Sequence, residues 1–366
     1  MAVPSPSPSG QLDGAAPRPR RNYALDILRI VSIVGVVAIH SFGELAGDDD
    51  ARSQPDWLPA AIIDIAFIWV VPVFVTISGA LVLAPRAHTE GAKAFYRKRA
   101  LRLLPALVVW HLVYIFIGNY LILGRELQPR EVLVSVFDTQ VYPHLYFLWL
   151  ILGLYLVAPP LAGYLNRVPL QRAAAATCAV LVLTLALFSL QAASIQFEWG
   201  WEYPWNILTQ WFPYLGYFMA GWVITQLRVP RGAAIAAGGA AVVLSVFNIW
   251  HWINKDSTPL LNIITPSSYV GLGVTTAALC IFTATYHLLA GWQPASWLGR
   301  TLIQLSNASF GVFLCHYLFL TWLTFHVFPD QEPTLALISL KFSIATVGSF
   351  ALTLLALRTP VLNRVF

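Results

Sequence analysis

The chain has 366 residues, of which 58% are hydrophobic and only 11% charged, with a formal net charge of +5. An ordinary soluble domain carries about 25% charged residues, so a soluble protein of this size is excluded, and the positive excess speaks of membrane topology before nucleic acid. The apolar runs are near 20 residues, the length an α-helix needs to cross a hydrocarbon core of about 30 Å, whereas outer-membrane strands would alternate over about ten residues. The expected fold class is all-α: a polytopic integral membrane protein with about ten transmembrane helices.

In chain order, residues 1–21 are rich in Pro, Ser and Ala, carry Arg18, Arg20 and Arg21, and read as a disordered cytoplasmic tail with no cleavable signal peptide. The first span, 24–43, contains Asp26, Arg29 and His40. The eleven-residue step from Arg29 to His40 leaves them about 20° from alignment and about 16 Å apart along the axis, so they share one face at different depths. Intramembrane ionisable residues are costly and point to function by default. Two readings stay open: Arg29 snorkels beside Asp26 while His40 bridges helices, or the pair belongs to a site. Glu44 is one turn beyond His40; it either orients the imidazole and fixes its tautomer, or simply opens the acidic external loop.

The second span, 60–84, holds Asp64 and the segment Val71–Gly79 with Ser78. The connection after it includes Arg97, Lys98, Arg99 and Arg102, either a topology anchor for anionic headgroups or a phosphate clamp. Spans three to eight are expected at 103–124, 144–162, 173–192, 206–226, 232–253 and 263–289. Between Phe197 and Tyr214 several Trp and Tyr side chains accompany Glu198 and Glu202, an interfacial belt or an aromatic shelf for a sugar. The ninth span, 302–325, carries His316 at a depth similar to His40, so the two imidazoles meet if their helices are neighbours. His111, His144, His251 and His287 fit packing or interfacial roles, and Cys178, Cys280 and Cys315 read as packing residues without a disulfide or metal pattern. After the tenth span, 335–357, residues 359–366 form a short tail. Lys and Arg concentrate in alternate connections, which puts both termini in the cytoplasm and the chain in the cell membrane.

Taken together, Leu25-Asp26-x-x-Arg29 followed by His40, Val71 to Gly79, Arg99-x-x-Arg102, His144 to Trp149, Gly216 to Gly221, and Ser309 to His316 resemble the acyltransferase 3 family of membrane acyltransferases, over residues 22–358. The resemblance implies an O-acyltransferase with no permanently bound cofactor. Its expected donor is cytosolic acyl-CoA, commonly acetyl-CoA, and its acceptor a hydroxyl of a glycan, lipid-linked sugar or small metabolite. It implies that His40 is the essential histidine and that Arg29, Arg99 and Arg102 serve the donor; to these the sequence adds Glu44, from its spacing, as a candidate catalytic partner of His40, and Lys98, from the cationic cluster, as a further donor-binding candidate. His316, His144, Ser78 and Asp26 complete the set, touching the acceptor or supporting the catalytic group. The competing reading is a secondary transporter of a sugar-like or anionic solute, using Asp64, His40 and Lys341; a bare scaffold for an envelope complex is a third.

Overall fold

The computed structural model describes residues 21–366, so the expected N-terminal tail lies outside the described residues apart from Arg21. Among these residues every regular element is helical, as it must be where backbone groups meet lipid and can pair only within their own segment. The helices are α1 Ala24–Ala46, α2 Trp57–Ala66, α3 Val70–Val82, α4 Gly91–Val113, α5 Pro129–Phe137, α6 Tyr146–Leu165 and α7 Leu170–Gln196. There follow α8 Leu215–Gln226, α9 Arg231–Ile253, α10 Pro259–Ile264, α11 Leu272–Leu288, α12 Ser296–Trp322 and α13 Leu335–Ala356. Wider π-turns continue α4 through Tyr114–Ile122 and α12 through Leu323–Val327.

Eight segments are long and apolar enough to cross a membrane, so the chain is a multi-pass membrane protein. The expected sixth and eighth spans are the short ones: α8 has 12 residues and α11 has 17, roughly 18 and 26 Å of helix. The missing length is irregular chain. Pro204 and Pro213 precede α8 and Pro266 precedes α11, each lacking the amide that a continuing helix needs. The third span begins earlier than expected, because α4 starts at Gly91 and takes Arg97 to Arg102 into its opening turns. The run expected as one second span is broken into α2 and α3 by the turn Phe67–Trp69.

Helix α1 is central, packing on α2, α3, α12 and α13, while α8 packs on α3 and α7, and α9 on α11. The closest crossing joins α3 to α8: a Cβ added at Gly79 or Gly221 would overlap the carbonyl oxygen of Phe218 or Thr76. Only glycine lets two backbones approach so closely, and small residues are how membrane helices gain contact when lipid offers no hydrophobic drive. Val182, Val243 and Val347 point outward and exposed, the surface that meets acyl chains. The tail 359–366 packs back onto the bundle: Trp110 donates its indole N–H to the Val365 carbonyl at 2.9 Å, and the Phe366 ring stands 5.2 Å from that of Trp110.

Candidate active site

An elongated cavity of about 480 Å³ runs through the bundle between α1, α3, α4, α6 and α12. Arg29, Arg99 and Arg102 line one end, and His40 and His144 the other. The helical phase that places Arg29 and His40 on one face of α1 therefore faces them into one space.

Around the inner end three imidazoles meet. The His40 ring centroid is 5.4 Å from that of His316 and 6.3 Å from that of His144, and His144 and His316 are 5.0 Å apart. Tyr317 joins them, 4.9 Å from His40 and stacked on His144 at 5.4 Å. His316 and His144 are wholly buried, whereas His40 is half-buried and borders the cavity. The His316 Nδ1 lies 2.7 Å from the Phe313 carbonyl. A carbonyl only accepts, so Nδ1 carries the proton and Nε2 keeps its lone pair. That Nε2 is buried and has no hydrogen-bond partner among the described residues. The same logic fixes His111, whose Nδ1 donates to Leu107 while its Nε2 accepts from Trp149; it supports the wall beside the cluster.

Behind His316, α12 is modified by α4. The Tyr114 hydroxyl donates to the Leu314 carbonyl at 2.8 Å and accepts the Leu318 amide at 3.1 Å. It thus occupies the place of one helical i→i−4 bond, in the turn that carries His316, a known cause of local helix bending.

At the other end, Arg99 and Arg102 lie one turn apart on α4, with the Arg99 guanidinium over the rings of Phe95 and Tyr155 at 5.5 and 5.3 Å. Among the described residues none of Arg29, Arg99 and Arg102 makes an ion pair, so three cationic donors converge on the mouth, and the nearby Asp26 carboxylate is engaged with Arg21. Ser78 lines the wall between the ends and shares a 3.4 Å hydrogen bond with the Tyr155 hydroxyl.

Three expected site residues are elsewhere. Glu44 does not bond His40: both its oxygens take the Lys341 ammonium at 3.2 Å, because α13 brings a buried cation that needs compensation more than a neutral imidazole does. Asp26 does not pair with Arg29 by hydrogen bond; it is bidentate with Arg21 at 2.7 and 2.8 Å, and this bond raises the Arg21 pKa above the ordinary guanidinium value. Lys98 points away from the cavity into an exposed pair with Glu90 at 2.6 Å. His144, read as a packing or interfacial residue on the sequence alone, is instead inside the cluster. Tyr155 was unforeseen, although the eleven-residue spacing of Arg29 and His40 recurs between His144 and Tyr155 and signals a second lining face. The aromatic segment before α8 contributes nothing to the cavity; Trp199 is exposed there, as an interfacial belt requires.

The cavity thus combines an arginine-lined mouth with an interior bordered by His40 and His144, inside a bundle of membrane-crossing helices. The chain matches the acyltransferase 3 family, an acyltransferase domain, over residues 22–358, and it belongs to that family. No curated protein and no solved structure matches it.

Proposed function

We propose that this acyltransferase is an O-acyltransferase that moves an acyl group, acetyl first among the candidates, from cytosolic acyl-CoA to a hydroxyl of a sugar, glycan, glycolipid or secondary metabolite. The observation that carries the reading is the continuity of one cavity from Arg29, Arg99 and Arg102, which make no ion pair among the described residues, to His40. Guanidinium forks match the phosphates of CoA, and α1 spaces Arg29 from His40 by about 16 Å, so an extended donor anchored at the mouth presents its thioester deep in the bundle.

There His40 takes the proton from the acceptor hydroxyl, whose oxygen attacks the thioester carbonyl carbon. The C–S bond breaks, the ester forms, and the CoA thiolate leaves with the proton returned by the imidazole. His316, with its buried Nε2 free of a partner among the described residues, stands beside His40 in the same group of rings. A variant sequence of the same chemistry puts the acyl group transiently on His40. In this reading Ser78 and Tyr155 guide the donor along the wall, and Asp26 and Glu44 serve the fold.

The same reading takes α8 and α11, with the irregular chain beside them, as the remaining two of ten crossings, both termini as cytoplasmic, and the membrane as the cell membrane. Single-cysteine labelling in a cysteine-free background tests this: an externally accessible thiol at Lys93 or Thr359 overturns it, and Asp49 and Asp256 should label from outside. For the function, purified protein should bind acetyl-CoA and hydrolyse it slowly. No binding at millimolar donor would favour the transporter reading. Mass spectrometry of envelope glycans and metabolites, with and without the gene, identifies the acceptor.

A further inference from the structure

The Asp26 carboxylate has two guanidinium groups within reach. It stands in the first turn of α1, where a negative charge meets the positive end of the helix, and it is only 2% exposed. A carboxylate buried to that degree is costly without a cation to compensate it. Arg29 follows three residues later on the same helix, a spacing at which an acid and a base are neighbours and pair readily. Left to α1 alone, Asp26 and Arg29 would therefore pair.

They do not, because Arg21 takes the carboxylate. Its Nε donates to Oδ2 at 2.8 Å and its Nη2 to Oδ1 at 2.7 Å, so both oxygens are engaged in the two-pronged geometry that a guanidinium offers best. Contacts remote from α1 fix Arg21 in that place. The Gln293 side-chain amide donates to the Arg21 carbonyl at 3.4 Å, the Tyr23 ring stands edge-on to Trp292 at 6.2 Å, and a Cβ at Gly299 would come within 2.9 Å of the Tyr23 hydroxyl. The segment before α1 is thus seated on the connection from α11 to α12 and on the first turn of α12. Arg21 itself is no part of the cavity lining, and its side chain is 46% exposed. Arg29 makes no ion pair among the described residues and lines the mouth with Arg99 and Arg102.

We propose that Arg21 is a positioning residue for the donor: by holding Asp26 it keeps the Arg29 guanidinium directed into the cavity, free to take a phosphate there. The proposal rests on the acyl-transfer reading and adds to it a residue outside the cavity that sets donor affinity. Without Arg21, the buried carboxylate recruits the neighbouring cation on its own helix, and a donor phosphate must compete with Asp26 for Arg29. Two contacts of the donor site are thereby coupled to how the segment before α1 is seated on α12.

The test titrates the full purified chain with acetyl-CoA by calorimetry. Arg21→Ala should weaken binding about tenfold or more, the worth of one charge-assisted contact, and Arg21→Ala/Asp26→Asn should recover affinity to within about threefold, because no carboxylate then competes. A diffuse loss of positive charge at the mouth would be offset by that second change as well, so the deciding comparison is Arg21→Ala in an Arg29→Ala background. There it should alter affinity by less than about twofold, since the group it protects is gone, whereas a diffuse charge effect repeats the tenfold loss. Should Arg21→Ala fail to fold, Arg21→Lys, which keeps the charge but not the fork, carries the same expectations with a smaller loss. Unchanged affinity on substituting Arg21, or an equal loss with and without Arg29, overturns the role of Arg21 and leaves the acyl-transfer reading standing. A protein that binds no acetyl-CoA overturns that reading itself, and the two failures are told apart by the titration of the unsubstituted chain.

Discussion

Lys341 and Glu44 form an ion pair of unequal burial: the lysine side chain is 3% exposed and the glutamate 37%. The asymmetry makes the two single substitutions inequivalent. Glu44→Ala strands a buried ammonium, whereas Lys341→Met leaves a carboxylate that water can reach. Breaking a fully buried pair costs about 3–5 kcal/mol and an exposed one under about 1. Glu44→Ala is therefore expected to cost about 2 kcal/mol and Lys341→Met less than about 1. Glu44→Gln combined with Lys341→Met should recover most of the loss, read as thermal melting in detergent. Equal losses from the two single variants would contradict this account.

His40→Ala should abolish transfer, a fall of about 10²–10⁴-fold for loss of a general base, with donor binding kept because Arg29 lies at the other end of the cavity. Labelled acyl-CoA without acceptor separates the two roles: label retained on His40 identifies a carrier, and unlabelled protein a base. A folded His40→Ala protein with near-normal turnover would remove the centre of the reading.

At the mouth, Arg99→Ala and Arg102→Ala should each weaken acyl-CoA binding by roughly 10- to 150-fold, the worth of a charge-assisted phosphate contact. Arg→Lys should restore only part, because the planar fork is lost. Lys98→Ala should leave the affinity within about twofold, since its ammonium is engaged with Glu90 at the surface. Isothermal titration of all three separates a directed clamp from a diffuse positive patch, for which the lysine would matter as much as the arginines.

The crossing of α3 and α8 gives a prediction independent of chemistry. Gly79→Ala or Gly221→Ala pushes a methyl into the opposing backbone and should cost about 3 kcal/mol or more, beyond ordinary overpacking, which side chains can partly relieve. Gly238→Ala meets only the Ala284 methyl at 3.7 Å and should be neutral. Yield of monodisperse protein on size exclusion reports both; tolerance at position 221 would show that the helices can part.

How far the sequence carried depended on whether the information was local. The long spans follow from hydropathy, and the Arg29–His40 face follows from helical phase, because both depend on one helix alone. The short α8 and α11 were overestimated because the apolar residues flanking them are packed as irregular chain, which hydropathy does not distinguish from helix. The partner of Glu44 escapes the sequence for a different reason. The glutamate's spacing from His40 is right for contact, but its partner Lys341 is on the last span, and no spacing rule relates residues 297 positions apart. The meeting of His40, His144 and His316 likewise depends on which helices are neighbours, which a single sequence does not state.

Helix α1 carries Arg29 and His40 without a break, and so acts as a ruler between the two ends of the large cavity. One alanine inserted between them would turn His40 by about 100° out of the cavity while lengthening the helix by only about 1.5 Å. Seven inserted residues, close to two whole turns, would return the imidazole to nearly the same face but carry it about 10 Å beyond the thioester. The distance and the direction therefore cannot be restored together by any insertion. In this segment changes of length are excluded more strictly than changes of residue, and an arginine and a histidine ten intervening residues apart are the trace that this constraint leaves.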